Sequence, residues 1–279
     1  MSRITGRFAE LKTEGRCALV PYITAGDPQP DTTVEIMHTL VNAGADLLEL
    51  GVPFSDPMAD GPVIQAAHER ALVHHTSLSD ILAMVTEFRK DDDQTPVILM
   101  GYANPIERMG YEIFVERAVQ AGVDGVLTVD LPPEEGGEFE ALLQSSSLDP
   151  IFLLSPTTTD SRIKRITDVA SGFVYYVSLK GVTGAGNLDI QSVDEKLAII
   201  RRSTDLPVGV GFGISDAQSA ASVAQIADAV VVGSALIRII EAHQTDMTLA
   251  NKKLYELVHS MREAIDDVRG FPQQKQAGL

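Results

Sequence analysis

Residues 47–62 read LLELGVPFSDPMADGP, and the parsing of the whole chain turns on them. The stretch begins as a continuous apolar strand, with one carboxylate, Glu49, set near the strand's end. A loop punctuated by Gly51, Pro53, Pro57 and Gly61 follows, and it carries two further acids, Asp56 and Asp60. A run that is apolar throughout, without alternation, fits a parallel strand covered on both faces. A strand holds one acid rigidly, while a mobile loop brings a second over a bound molecule. That pairing suits chemistry in which one group gives a proton and another takes one. Taken alone, the same acids also read as a strand-end residue facing water and two turn formers.

The unit recurs outward in both directions. Short apolar runs stand at 18–23, 46–52, 97–102, 125–130, 151–155, 173–178, 208–213 and 229–233. Helical patterns lie between them, among others at 32–43, 62–75, 79–90, 106–120, 133–144, 190–203 and 216–225. The near-repeats AGAD at 43–46 and AGVD at 121–124 each read as a helix stop feeding the next strand. Eight such strands in one domain-sized chain predict an α/β fold, the (β/α)8 TIM barrel. The interval after the second strand is markedly longer than the others and holds two helices. An amphipathic N-terminal helix, with Ile4, Phe8 and Leu11 on one face, and a final helix over 249–268 read as additions that plug or flank the barrel. Residues 1–268 read as a single domain and 269–279 as a frayed polar tail.

The chain has 279 residues, 44% of them hydrophobic, enough for one large core. Its formal charge is −17. So acidic a chain repels phosphate backbones and anionic lipid, which argues against nucleic acid and membrane surfaces as partners. An anionic substrate would need a local positive field from backbone amides or helix ends. One cysteine, Cys17, excludes an intrachain disulfide and a cysteine metal cluster, and reads as a small buried hydrophobe. The N-terminal helix lacks the apolar core of a secretory signal and no run reaches membrane-spanning length, so the expected location is the cytoplasm. His38, His68, His74, His75, His243 and His259 lie mostly on helices, without acids at metal-binding spacing. They read as surface or helix-end residues, and no metal or cofactor is expected in this chain.

Barrel enzymes place their sites at the C-terminal ends of the strands. The strand-end residues here are Tyr22, Thr24, Glu49, Met100, Tyr102, Leu127, Val129, Asp130, Leu153, Ser155, Tyr175 and Val177. So apolar a mouth favours a flat, hydrophobic substrate body, although barrel packing also selects Leu, Val and Met. Glycine clusters at three successive strand ends, GVTGAG at 181–186, GFG at 211–213 and GSAL at 233–236, read as a phosphate site built from backbone amides. Lys180 lies in a glycine-bounded loop among polar neighbours, and reads as a loop residue in preference to a Schiff-base nucleophile.

The run ELGVPFSDPMADGP, with PYITAGDP at 21–28, YYVSLKGVTGA, GVGFGIS and VVVGSALI, resembles the tryptophan synthase alpha chain family over nearly the whole chain. The resemblance implies a (β/α)8 barrel that performs a retro-aldol cleavage of indole-3-glycerol phosphate to indole and glyceraldehyde 3-phosphate. It implies a pyridoxal-phosphate beta chain as partner, in an assembly of two alpha and two beta chains, with indole passed to it through a tunnel. By the same resemblance, Glu49 and Asp60 form the acid–base pair and Tyr175 assists. Thr183 closes over Asp60 in a mobile loop. Gly184, Gly213, Gly233 and Ser234 hold phosphate, with Gly211 in the same glycine cluster, and Tyr22, Met100, Leu127 and Val129 sandwich the indole. The beta-chain interface falls on the barrel mouth, including Asp56 and residues 130–134. Tyr22 stands where the family often has phenylalanine, Met100 where it has leucine, and Leu179-Lys180 where it has an arginine-containing pair. A free-standing lyase and a catalytically silent barrel are the alternative readings.

Overall fold

The strands are built from residues that tolerate burial on both faces. All seven residues of β1 (Ala18–Thr24) are buried, as are all four of β2 (Leu48–Gly51), β7 (Val208–Gly211) and β8 (Ala229–Val232). With β3 (Val97–Gly101), β4 (Gly125–Thr128), β5 (Asp149–Leu154) and β6 (Val174–Val177) they pair in parallel in chain order, and β8 returns to β1. The computed structural model describes residues 2–177, 189–211 and 213–270 of this closed (β/α)8 barrel.

Helices surround the sheet. α1 (Arg3–Glu14) precedes β1, and α2 (Thr33–Asn42) links β1 to β2. The long interval after β2 holds α3 (Pro62–Val73) and α4 (Leu78–Phe88), as the sequence predicts. The helix expected over 106–120 is two helices, α5 (Ala103–Met109) and α6 (Tyr111–Ala121). Gly110 between them has φ 89, a backbone that ends one helix before the next begins. α7 (Pro133–Ser145) follows β4. α8 (Asp160–Val169), between β5 and β6, escapes the sequence reading because it is largely charged and buries only Ile163, Ile166 and Thr167. α9 (Ile190–Ile200), α10 (Ala217–Ala224), α11 (Ser234–Ala242) and α12 (Met247–Val268) complete the ring. Arg269, placed in the tail by the sequence, caps α12, and its guanidinium donates to the carbonyls of Ala224 and Ala227.

The AGAD and AGVD repeats have a structural reason. Asp46 accepts the Leu19 N–H at 2.8 Å and Asp124 accepts the Val97 N–H at 2.8 Å, so each acid staples its strand to the preceding one. Asp228 does the same for Val208 at 2.9 Å. Two of these acids also fasten α1 across the bottom of the barrel. Arg7 donates to Asp46 at 2.6 Å and Arg3 to Asp124 at 2.8 Å, while Ser2 donates to Asp149. So held, Ile4, Phe8 and Leu11 pack with the inward residues Ala18, Val20, Leu47, Ile98, Leu127, Ile151, Phe173, Ala229 and Val231. α1 plugs the barrel, and a site is left only at the opposite end.

The plug is expected to be part of the cooperative core. Phe8 is 6% exposed and its ring centre lies 5.6 Å from that of Phe173. Phe8→Ala should lower unfolding stability by on the order of 3 kcal/mol, through lost burial and the cavity left behind. Urea unfolding of the full chain checks this, and an unchanged midpoint would mean that the plug docks without contributing to stability.

Candidate active site

At the open end, Glu49 points into the barrel from β2, in register with Tyr22 on β1 and Ile98 on β3. It is 1% exposed, and its Oε1 has no hydrogen-bond partner among the described residues. Burial, and secondarily the charge of Asp60, push its carboxyl up to about 8. A carboxyl so placed holds its proton at neutral pH. The strand that carries it is fixed on both sides by the sheet, so the acid has little freedom to seek water.

Asp60 reaches the same space from the loop after β2. Tyr102, just past β3, donates its hydroxyl to Asp60 Oδ2 at 2.7 Å and accepts the Ala59 N–H at 3.1 Å. Its ring stacks on Phe54 with centres 5.2 Å apart, and Gln65 donates to the Asp60 carbonyl at 2.9 Å. The loop expected to be mobile is therefore tied down at several points in this structure. Burial raises the Asp60 carboxyl from its ordinary value, and the Tyr102 hydrogen bond and the His68 ring act against that rise by favouring the charged form.

His68 overturns the expectation that the histidines are surface or helix-end residues. It is 3% exposed and lies on the inward face of α3 with Ala67 and Ala71. The spacing 67, 68, 71 on a predicted helix is the signal that could have found it, since those positions share a face. Tyr102 was legible as a strand-end residue, but its bond to Asp60 was not. His74 and His75 are exposed at the end of α3, as expected.

The other expected residues line the mouth. Met100, Val129 and Tyr175, with Leu153, pack on the barrel's inner core, of which Leu127 is itself a member. Tyr22 is 6% exposed. Two strand-end glycines make room for the two tyrosines. A Cβ on Gly51 would lie 2.2 Å from Tyr22 Oη, and one on Gly211 would lie 2.2 Å from Tyr175 Oη. Gly211, expected in the phosphate cluster, is thus a buried residue of β7 beneath the Tyr175 ring. Burial first, then the charge of Glu49, drives the Tyr175 phenol well above its ordinary value, so it stays protonated.

Where the sequence places a phosphate site, Gly233 precedes α11 and Ser234 opens it, with no side chain capping the helix. The first backbone N–H groups of such a helix have no partner within it and carry the positive end of its dipole. Gly213 lies in the exposed loop after β7 with φ 74. Thr183, Gly184 and Lys180 fall outside the described residues. No group of three or more His, Cys, Asp or Glu among the described residues is arranged to hold a metal. Cys17 is buried, and burial pushes its thiol up to about 12, as befits a small core residue. No helix among the described residues is long and apolar enough to cross a membrane.

A plugged (β/α)8 barrel with a buried carboxyl on one strand and a second carboxyl on the following loop, at the C-terminal end of the sheet, has the build of the barrel enzymes. Comparison with known proteins narrows this. The family description "Tryptophan synthase alpha chain" matches residues 8–266. A tryptophan synthase alpha chain of Thioalkalivibrio sulfidiphilus is 62% identical over 266 residues, 95% of this chain and 100% of the relative. One of Marinobacter nauticus is 60% identical over 268 residues, 96% of this chain and 99% of the relative. Among solved structures, tryptophan synthase subunit alpha from Legionella pneumophila superposes with a TM-score of 0.89 at 48% identity, covering 96% of this chain and 99% of that one. The chain belongs to the tryptophan synthase alpha chain family. It is a lyase subunit of tryptophan biosynthesis, and its reaction is the cleavage of indole-3-glycerol phosphate to indole and glyceraldehyde 3-phosphate.

Proposed function

We propose that this chain carries out the cleavage by paired-carboxylate acid–base catalysis, with Glu49 as the proton donor and Asp60 as its counterpart. The observation that carries the reading is the contrast between the two acids. Glu49 is buried, its Oε1 without a hydrogen-bond partner among the described residues, and it is pushed up to about 8, whereas Asp60, also raised by burial, receives a hydroxyl hydrogen bond that favours its charge. Two neighbouring carboxyls in one apolar pocket do not both ionise readily, so one is kept as acid and the other as base.

The chemistry then balances. Glu49 gives its proton to C3 of the indole ring while Asp60 takes the ring N–H proton, which leaves the indolenine tautomer. The Glu49 carboxylate next accepts the proton of the adjacent glycerol hydroxyl. The C–C bond breaks, its electrons restore the ring double bond, and Asp60 returns its proton to the ring nitrogen. Indole and an aldehyde leave, and both acids are back in their starting states. Tyr175, protonated, assists beside Glu49. Tyr22, Met100, Leu127 and Val129 wall the ring. The start of α11 at Gly233 and Ser234, with Gly213, supplies N–H groups for phosphate without a lysine, which suits a chain of charge −17.

The chain works in the cytoplasm as one barrel domain through residue 268. It joins a tryptophan synthase beta chain in a complex of two alpha and two beta chains. Pyridoxal phosphate belongs to that partner, which receives the indole. The test is indole release from indole-3-glycerol phosphate, by this chain alone and with a beta chain added. Slow release that rises sharply with the partner is the expected result. Fast release regardless of partner would instead mark a free-standing lyase, and no release in either case would overturn the reading.

A further inference from the structure

Beside Asp60 lies a buried pair of polar atoms for which the proposed reaction has no use. Walling an indole needs only the ring of Tyr22. Its hydroxyl is nevertheless kept inside the barrel, 3.2 Å from Thr24 Oγ1 and 3.5 Å from His68 Nε2, in space that exists only because residue 51 is glycine. On the other side of the same imidazole, Nδ1 accepts the Phe54 backbone N–H at 3.0 Å. A nitrogen that accepts carries a lone pair, so the neutral ring has its single proton on Nε2. That Nε2–H faces two oxygens, Tyr22 Oη and, at 3.9 Å, Asp60 Oδ2. Burial keeps the ring neutral by pushing its pKa down, against the pull of the Asp60 charge.

We propose that the Tyr22 hydroxyl and His68 act as one unit that positions Asp60 for its proton exchange with the substrate's ring nitrogen. The inference rests on the role given to Asp60 above. Among the described residues, Tyr102 holds Asp60 Oδ2 from one direction, at 2.7 Å. A single hydrogen bond leaves a carboxylate free to swing about it. The imidazole borders the acid from a second direction, 3.9 Å away and so by packing and dipole without a direct hydrogen bond, and its own orientation is set by the Phe54 N–H behind it and the phenol beside it. β1, the loop after β2 and α3 are thereby joined at the acid, so its place is referred to the rigid strand end.

A double-mutant cycle tests this in the full-length chain, with kcat and KM measured for indole-3-glycerol phosphate. Tyr22→Phe keeps the ring, and His68→Asn keeps an acceptor close to the Phe54 N–H. Each single variant should lower kcat by roughly three- to tenfold, the worth of one hydrogen bond. KM should stay within about twofold, because the loss is felt in the chemical step and not in binding. The double variant should be no slower than the slower single one, since a unit is broken only once. Tyr22→Phe should also cost nothing further in an Asp60→Asn background, and this second cycle carries the test alone if His68→Asn fails to fold. Losses that multiply, a loss confined to KM, or an unchanged kcat would overturn the proposal. Near-normal turnover by Asp60→Asn itself would remove the acid–base reading beneath it. An inactive Asp60→Asn with independent effects at Tyr22 and His68 would sink this inference alone.

Discussion

Glu49→Gln is expected to abolish indole release, with a loss on the order of 10³-fold or more, near the upper range for a general acid–base group. Glutamine keeps the volume and an amide able to sit in the same buried pocket, so the barrel should fold and bind. What it lacks is a transferable proton. Binding of glycerol phosphate should be largely unchanged, because the proposed phosphate contacts lie at the start of α11 and in the loop after β7. The wild-type pH profile gives the same expectation from another side. A donor pushed up to about 8 in the free protein has its proton below that pH and loses it above, so kcat/KM should fall as pH rises through about 8. Steady-state kinetics over this range decide the matter. Substantial turnover by Glu49→Gln would remove Glu49 from the mechanism, whatever its burial.

Asp60→Asn carries the second large effect, a loss of kcat on the order of 10²-fold or more. Asparagine still offers an oxygen to the Tyr102 hydroxyl, so the loop should keep its place. The charge that meets the ring N–H is gone, and with it the acceptor for that proton. A second consequence separates this from simple damage. The charge of Asp60 is one of the two causes that raise Glu49, the smaller one after burial. Without it the Glu49 carboxyl should ionise more easily, and the alkaline limb of the residual activity should move to lower pH. A reduced rate with the limb unmoved would mean that the two acids do not sense each other, and the paired-carboxylate account would fail.

Much of the fold could be read from local signals. The apolar runs predicted the eight strands closely, because burial on both faces leaves a continuous mark in the sequence. Helix boundaries leave a weaker mark. Gly110 splits a helix expected to be continuous, and α8 leaves little mark in the sequence because so little of it is buried. At the site, Glu49 stood out as an acid in an apolar strand and Asp60 as an acid in the loop that follows. His68 did not, since the 67, 68, 71 spacing marks an inward helix face but says nothing of what packs over it.

The sequence by itself determined the order of the eight strands, the end of the barrel that carries the candidate site, and the two acids proposed to act there. These depend on periodicity and spacing along the chain. Only the tertiary structure decided the protonation state that burial imposes on Glu49, the Tyr102 hydroxyl on Asp60, and the tautomer of His68. It also decided that Gly51 and Gly211 are the spaces into which two tyrosines fit. Desolvation and hydrogen bonding act over a few ångströms between residues as distant in the chain as Tyr22 and His68, or Asp60 and Tyr102. Closing the barrel is what brings them within that range.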